Sequence, residues 1–365
     1  MFTAYKSSGW IIFWVVSVWV PLASVAQTEP IDLIRSVRLE APIAFCGEPV
    51  PLDDAAVAER FEKEMLLSLW DRDQAILWLK RSTRYLPFIE RRLAEAGLPD
   101  DLKYVAIAES ALRPHAGSPK GAIGFWQFMA DTGRRYGLRI DSRIDERRSL
   151  EASTRAAIRY LQKLHAELDS WSLSVAAFNM GEEGLKAEIL AQATKDFYKL
   201  YLPLETQRYL FRILSAKLIL ENPERYGFHM TAADYYPPLA SSEVELTCWE
   251  ETSLMVIARA AGTDFKAIKD LNPAIRGHYL AAGNYRLNLP VSGVEGFQER
   301  FQSGHAAWKT LQSERVYIVK AGDNLSTIAE QFGVPLPALL IWNRLDARRP
   351  IHPGDRLIIH PETPE

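Results

Sequence analysis

Cysteine is scarce in this chain: Cys46 and Cys248 are the only two among 365 residues. The seven histidines are scattered, and no metal-ligand spacing appears among them. Neither a metal nor another cofactor is therefore expected. An excess of positive charge is missing too. Lys+Arg number 43 against 46 Asp+Glu, for a net charge of −3. That balance argues against a basic sheath for nucleic acid or an anionic membrane surface, and a neutral, sugar-rich substrate fits it better. Long apolar runs are confined to the N-terminus, where Trp10 to Val20 falls short of the ~20 residues a membrane-spanning helix needs. Core-building material is plentiful. With 48% hydrophobic and 24% charged residues the chain reads as globular, and its length fits two or three domains.

The N-terminus has the three-part layout of an export signal: Lys6, the apolar run, then Pro21 and Ala23-Ser24-Val25-Ala26. Cleavage is expected after Ala26, with an uncleaved membrane anchor as the alternative. No cysteine near this point offers a lipid attachment site. In an exported chain an even pair of cysteines fits a Cys46–Cys248 disulfide, and two separate buried thiols are the other reading.

Between Asp54 and Pro223 no run alternates like a strand. Val57, Phe61, Met65 and Leu69 mark one buried helix face. A second helix is expected from about Asp71 towards Tyr85, and Pro87 sits where a first-turn proline would open a third. Ala157, Leu161, Leu164 and Leu168 form another stripe behind Ser149 as N-cap. A last helix starts near Glu205 with Leu210, Ile213, Leu214 and Leu218. Tyr226 to Ser242 breaks the pattern. Beyond it the chain repeats: Leu254, Ile257, Ala258, Gly262, Leu271-Asn272 and Gly283 recur 71 positions later as Leu325, Ile328, Ala329, Gly333, Trp342-Asn343 and Gly354. Each copy reads as strand, helix, helix, strand.

The chemistry centres on Glu109. Leu102, Val105, Ala106 and Glu109 fall at i, i+3, i+4 and i+7, which puts the glutamate on the apolar stripe of its own helix. A buried carboxyl is costly to ionise, so its pKa rises, and a glutamic acid still protonated near neutrality is what glycoside cleavage requires of a general acid. The position alone fits better a structural glutamate that pairs with an arginine or caps a neighbouring helix. The following segment, Ser118 to Phe128, is a loop of small residues running into Phe125-Trp126-Gln127-Phe128. It offers backbone approach, aromatic faces for sugar rings and neutral hydrogen bonds from Ser118 and Gln127. A third block, Ala176-Ala177-Phe178-Asn179-Met180-Gly181, closes a helix.

These blocks, with Asp145-Glu146-Arg147-Arg148, Ser153 to Ala157 and Leu202 to Thr206, resemble the lytic transglycosylases of the membrane-bound murein transglycosylase D type. The C-terminal repeats are similar to LysM modules, which bind N-acetylglucosamine-containing glycans. The resemblance implies an α+β multidomain chain: an all-α, goose-type-lysozyme-like catalytic domain followed by two small βααβ modules. It implies peptidoglycan glycan strands as the partner and cleavage of the MurNAc-β-1,4-GlcNAc bond to 1,6-anhydro-MurNAc ends. Hydrolysis by water and a non-catalytic wall-binding protein are the alternatives.

Carried over, the resemblance makes Glu109 the single acid/base and Ser110, Ser118, Gly124, Gln127, Phe178 and Asn179 cleft residues. Phe178 stands where such enzymes usually carry tyrosine. Asp145, Glu146 and Glu205 are expected to be structural carboxylates held by arginines. Gly322, Asp323, Asn324, Leu325, Ile351 and His352 are expected to line the second module's glycan groove, with plain turn-forming roles as the alternative. The expected division is 1–26 signal, 27–85 N-terminal helical extension, 86–227 catalytic domain, 228–242 linker, 243–290 degenerate LysM-like module, 291–313 linker and 314–361 LysM module. Periplasm or cell envelope is the expected location.

Overall fold

A computed structural model describes residues 33–39, 42–314, 316–346 and 350–359. The export-signal reading of residues 1–26 lies outside them.

One hydrophobic core runs from Ile43 to Phe228, so residues 42–85 pack onto the helices that follow them. Helix Ala55–Trp70 starts on Asp54, whose carboxylate accepts from the amides of Ala56 and Val57, and buries Val57, Phe61, Met65 and Leu69 as its four-residue spacing predicts. It packs along helix Leu204–Glu221.

The expected break at Pro87 does not occur. A single helix spans Arg72–Glu95 with Pro87 inside it. Ala75, Trp78, Leu79, Leu86, Ile89 and Leu93 are all buried in the same core, and this continuous apolar face outweighs the lost backbone hydrogen bond at proline. Two-residue strands at Ala44–Phe45 and Glu48–Pro49, which the sequence reading missed, form a hairpin ahead of the helices. Glu48 accepts hydrogen bonds from the amides of Trp171 and Ser172 (3.0 Å to the latter) and so caps helix Trp171–Met180.

The segment expected as a linker at 228–242 lies along helix Arg72–Glu95. Tyr236 N donates to Lys80 O at 2.8 Å, and Thr83 Oγ1 and Arg84 Nε donate to the carbonyls of Tyr236 and Pro237 at 2.9 Å. Its backbone polar groups find partners on the domain, which is why it is laid down and not free.

The two C-terminal modules follow the repeat. In the first, strands Ser241–Cys248 and Gly283–Pro290 pair antiparallel around helices Leu254–Ala260 and Phe265–Leu271. In the second, Val316–Ile318 pairs antiparallel with Arg356–Ile358 around Leu325–Gln331 and Leu336–Asn343. The repeated asparagine has a clear reason. Asn272 Nδ2 donates to Ile268 O and Asn288 O, at 2.9 and 2.8 Å, while its Oδ1 accepts from Asn288 N at 2.8 Å. Asn343 makes the equivalent bonds to Leu339 O, Ile358 O and Ile358 N. One amide clips each second helix to its closing strand.

Residues expected as a linker at 291–313 instead carry helix Phe297–Glu314, which packs against Leu254–Ala260. Phe297 and Phe301 enter the first module's core, a burial that stabilises by about 1.5–3 kcal/mol per ring. The expected disulfide is absent. Cys46 packs against the helical core and Cys248 sits inside the first module's core; both are free thiols. Each cysteine is anchored by its own core, and burial pushes both thiols up in pKa, away from the reactive thiolate.

Candidate active site

Glu109 lies one residue before the end of helix Lys103–Ser110 and is half-buried. Its Oε1 accepts a hydrogen bond from the Tyr209 hydroxyl. Desolvation pushes the Glu109 carboxyl up to about 7, against the Tyr209 hydrogen bond and the Arg212 guanidinium, which lower it; Glu205 adds a small upward push. Tyr209 itself is 1% exposed, and burial followed by the neighbouring Glu109 charge holds its phenol well above the usual range. It is therefore a permanent donor. This partner was missed at the sequence level, where Leu210, Ile213 and Leu214 mark the buried face of the same helix. The one available signal was Thr206 and Tyr209, polar-tipped residues three apart on the buried side.

Behind Glu109 the backbone is held in uncommon geometry. Ala111 and Leu112 have φ of 51° and 58°, and Gln127 has φ 47°. Non-glycine residues there cost about 1 kcal/mol or more each. The surroundings enforce it: Arg81 Nη1 donates to Ala111 O at 3.0 Å, and Gln127 Nε2 donates to Ala116 O and Gly124 O at 3.1 and 2.9 Å.

Ser110 is buried, and its hydroxyl donates to Ala106 O and Phe125 O, tying the glutamate's helix to the small-residue loop. Ser118 Oγ accepts from Ala122 N at 3.1 Å and shapes the same loop. At Gly124, φ is +87° and an added Cβ would lie 1.8 Å from the Arg147 carbonyl oxygen, so only glycine fits. The aromatic stretch does not offer faces to a sugar. Phe125, Trp126 and Phe128 are 2%, 0% and 3% exposed, and Trp126 Nε1 donates to Thr154 at 3.1 Å. Their large apolar area is worth more in the core than at the cleft. Phe178 joins them, with ring centroids 5.3 Å from Tyr160 and 5.9 Å from Phe128. The hydroxyl that Glu109 does meet belongs to Tyr209. Asn179 Oδ1 accepts from Thr206 Oγ1 at 2.8 Å, one helical turn from Tyr209.

The other carboxylates divide. Asp145 pairs with Arg147 through two 2.8 Å contacts, both side chains buried. Glu146 accepts from the Arg139 backbone amide at 2.7 Å and not from a guanidinium. Glu205 is exposed and has no arginine ion pair among the described residues, so the expected pairing fails there; its charge reaches Glu109 only weakly. No cluster of metal-ligating side chains occurs among the described residues.

The transglycosylase SLT domain family matches residues 87–201. The LysM-like domain of lytic transglycosylase MltD matches 250–306, and the LysM domain matches 317–360. Residues 87–201 thus match an SLT domain, and two LysM-type matches follow it along the chain. Membrane-bound lytic murein transglycosylase D of Escherichia coli K12 is 34% identical over 297 residues, covering 76% of this chain and 64% of the relative; the protein of the same name from E. coli O6:H1 matches equally. The chain thus spans a little under two thirds of the length of these curated relatives. Tyr209 lies beyond the matched SLT segment, and the fold returns it to Glu109.

In the LysM module, Asp323 Oδ2 accepts from Tyr317 OH and Lys320 N at 2.8 and 2.7 Å, and Asn324 caps helix Leu325–Gln331. Both side chains shape a turn that needs Gly322 at φ +93°. Leu325 is buried, Ile351 half-buried and His352 exposed. Among the described residues no single helix is long and apolar enough to cross a membrane.

Proposed function

We propose that this chain is a peptidoglycan lytic transglycosylase of the periplasm or cell envelope, exported by residues 1–26. The observation that carries it is Glu109: a half-buried carboxyl with a pKa near 7, held by a buried phenol, beside a loop that only glycine at 124 permits. The resemblance to lytic murein transglycosylase D supports the reaction class.

Protonated Glu109 gives its proton to the glycosidic oxygen. The C1–O bond breaks with its electron pair leaving on that oxygen, and positive charge builds on the muramic ring. The N-acetyl carbonyl of the substrate stabilises that charge. Glu109, now a carboxylate steadied by Tyr209, takes the C6 hydroxyl proton as the C6 oxygen bonds to C1. The tethered nucleophile outcompetes water through an effective molarity on the order of 10⁵ M or more. Gln127 Oε1 and Asn179 Nδ2, which have no protein partner among the described residues, are suited to hold the amide-bearing sugar. Ser110, Ser118 and Gly124 shape the cleft backbone, and Phe178 its apolar wall.

The LysM modules hold the enzyme on the wall. Val319 N donates to Asp355 O and Gly354 N to Val319 O, both at 2.8 Å, which sets the 322–325 turn beside the 351–355 turn and supports a groove between them. The test is a peptidoglycan zymogram of wild type and Glu109→Gln. Clearing by the wild type alone supports the assignment; clearing by both removes Glu109 from the chemistry, and clearing by neither favours a wall-binding protein.

A further inference from the structure

The first LysM-type module does not hang free. Ile144, from the helical domain, is 6% exposed because it is part of the module's own core with Leu246, Leu254, Ile257 and Ile275. Ile144 and Ile275 bridge as a short antiparallel pair. Asp145 N donates to Ala274 O, and Arg276 N to Arg143 O, each at 2.8 Å. Arg276 Nη1 reaches Asp141 O at 3.3 Å, and Glu251 accepts from Arg143 and from Arg344 of the second module.

The clamped segment leads straight to the substrate loop. Asp145 holds Arg147, and Arg147 Nη1 donates to Gly121 O and Phe128 O at 2.9 and 3.1 Å. The Arg147 carbonyl is the group against which Gly124 packs. Thus Ala274 and Ile275 fix Ile144 and Asp145, these fix Arg147, and Arg147 fixes both ends of the loop that carries Gly124 and Gln127.

We propose that the first LysM-type module is a positioning element of the catalytic domain, holding the 118–128 loop in its working shape through Ile144, Asp145 and Arg147. This rests on the transglycosylase reading. It changes what the module is for: cleavage of short soluble glycans, which need no wall tether, depends on it. A tether acts only through local concentration, so on soluble fragments it contributes nothing. A positioning contact acts on every substrate, because small misplacements of binding groups lower the rate.

The test is full-length Ile144→Ala, with Ile144→Val as the conservative variant. Two quantities are read: kcat/KM on soluble muropeptide fragments, and hydrogen exchange of the Ser118, Ile123 and Gly124 amides, which bond within or beside the loop. The expected result for Ile144→Ala is a roughly tenfold lower kcat/KM. Faster exchange at those amides should accompany it, with near-normal values for Ile144→Val. The alkaline limb set by Glu109 should stay where it is, since Tyr209 and Glu109 lie outside the clamp. Wild-type kcat/KM and wild-type loop protection in Ile144→Ala would overturn the proposal. If Ile144→Ala does not fold, the double variant Arg143→Ala/Arg276→Ala removes only surface pairs and is read the same way, with about a threefold loss expected. A wild-type protein that cleaves no fragment sinks the transglycosylase reading, while loop exchange still decides the clamp.

Discussion

Tyr209 donates its hydroxyl to Oε1 of Glu109 from a helix a hundred residues further along the chain. A phenol that stays protonated because it is buried gives the carboxylate a fixed donor while leaving the neutral acid in a desolvated place. The two effects pull in opposite directions, and burial wins: the pKa settles at about 7.

Tyr209→Phe removes a group that lowers that pKa. The Glu109 carboxyl should then rise above 7, and the alkaline limb of kcat/KM should move to higher pH. The maximal rate should fall about tenfold, because the carboxylate formed after bond cleavage loses its donor. A pH–rate profile of the purified variant checks this; a limb that moves down or stays put contradicts it.

Glu109→Gln should abolish cleavage and leave the fold intact. It should also alter stability with a definite sign. The folded pKa of about 7 exceeds the unfolded value of about 4.3. The native state therefore binds the proton more tightly, and the stability linked to it is full below the unfolded pKa and lost as pH rises through 7. At pH 8 the glutamine variant should be more stable than wild type by roughly 3–4 kcal/mol, a gap that closes towards pH 4. Thermal melts at the two pH values measure it.

Gly124→Ala should be severe. The new methyl group meets the Arg147 carbonyl and the backbone sits at φ +87°, so the loop must move. A loss of about 2–4 kcal/mol is expected, with most activity. Denaturant unfolding beside a fragment-cleavage assay reports both.

How much of this could be read from residues follows a physical line. Glu109 was visible because a carboxylate interrupts an apolar stripe, and the modules were visible because Asn272 and Asn343 repeat in step. Tyr209 was not, since an aromatic on a buried face is ordinary and only the fold shows its hydroxyl meeting Glu109. Pro87 misled because local backbone chemistry was weighed without the core that both halves of helix Arg72–Glu95 share. Helix Phe297–Glu314 was taken for a linker because its apolar face is short and needs the first module to complete it. Phe125, Trp126 and Phe128 looked like sugar platforms, yet burial fraction is a property of the fold and not of the motif.

Ending the chain at Glu314 removes the second module and leaves the clamp of the first. Sedimentation with insoluble peptidoglycan should weaken, while cleavage of soluble fragments stays near wild type. Equal sedimentation of the two proteins would count against glycan binding by the Gly322–Leu325 and Ile351–His352 turns.

The central claim is that Glu109 works alone and the substrate's own C6 hydroxyl takes the place of water. Mass spectrometry of muropeptides released by the purified enzyme tests it directly. The account predicts 1,6-anhydro-muramic ends, lighter by one water and resistant to borohydride; reducing ends in the majority would make this a hydrolase and contradict it.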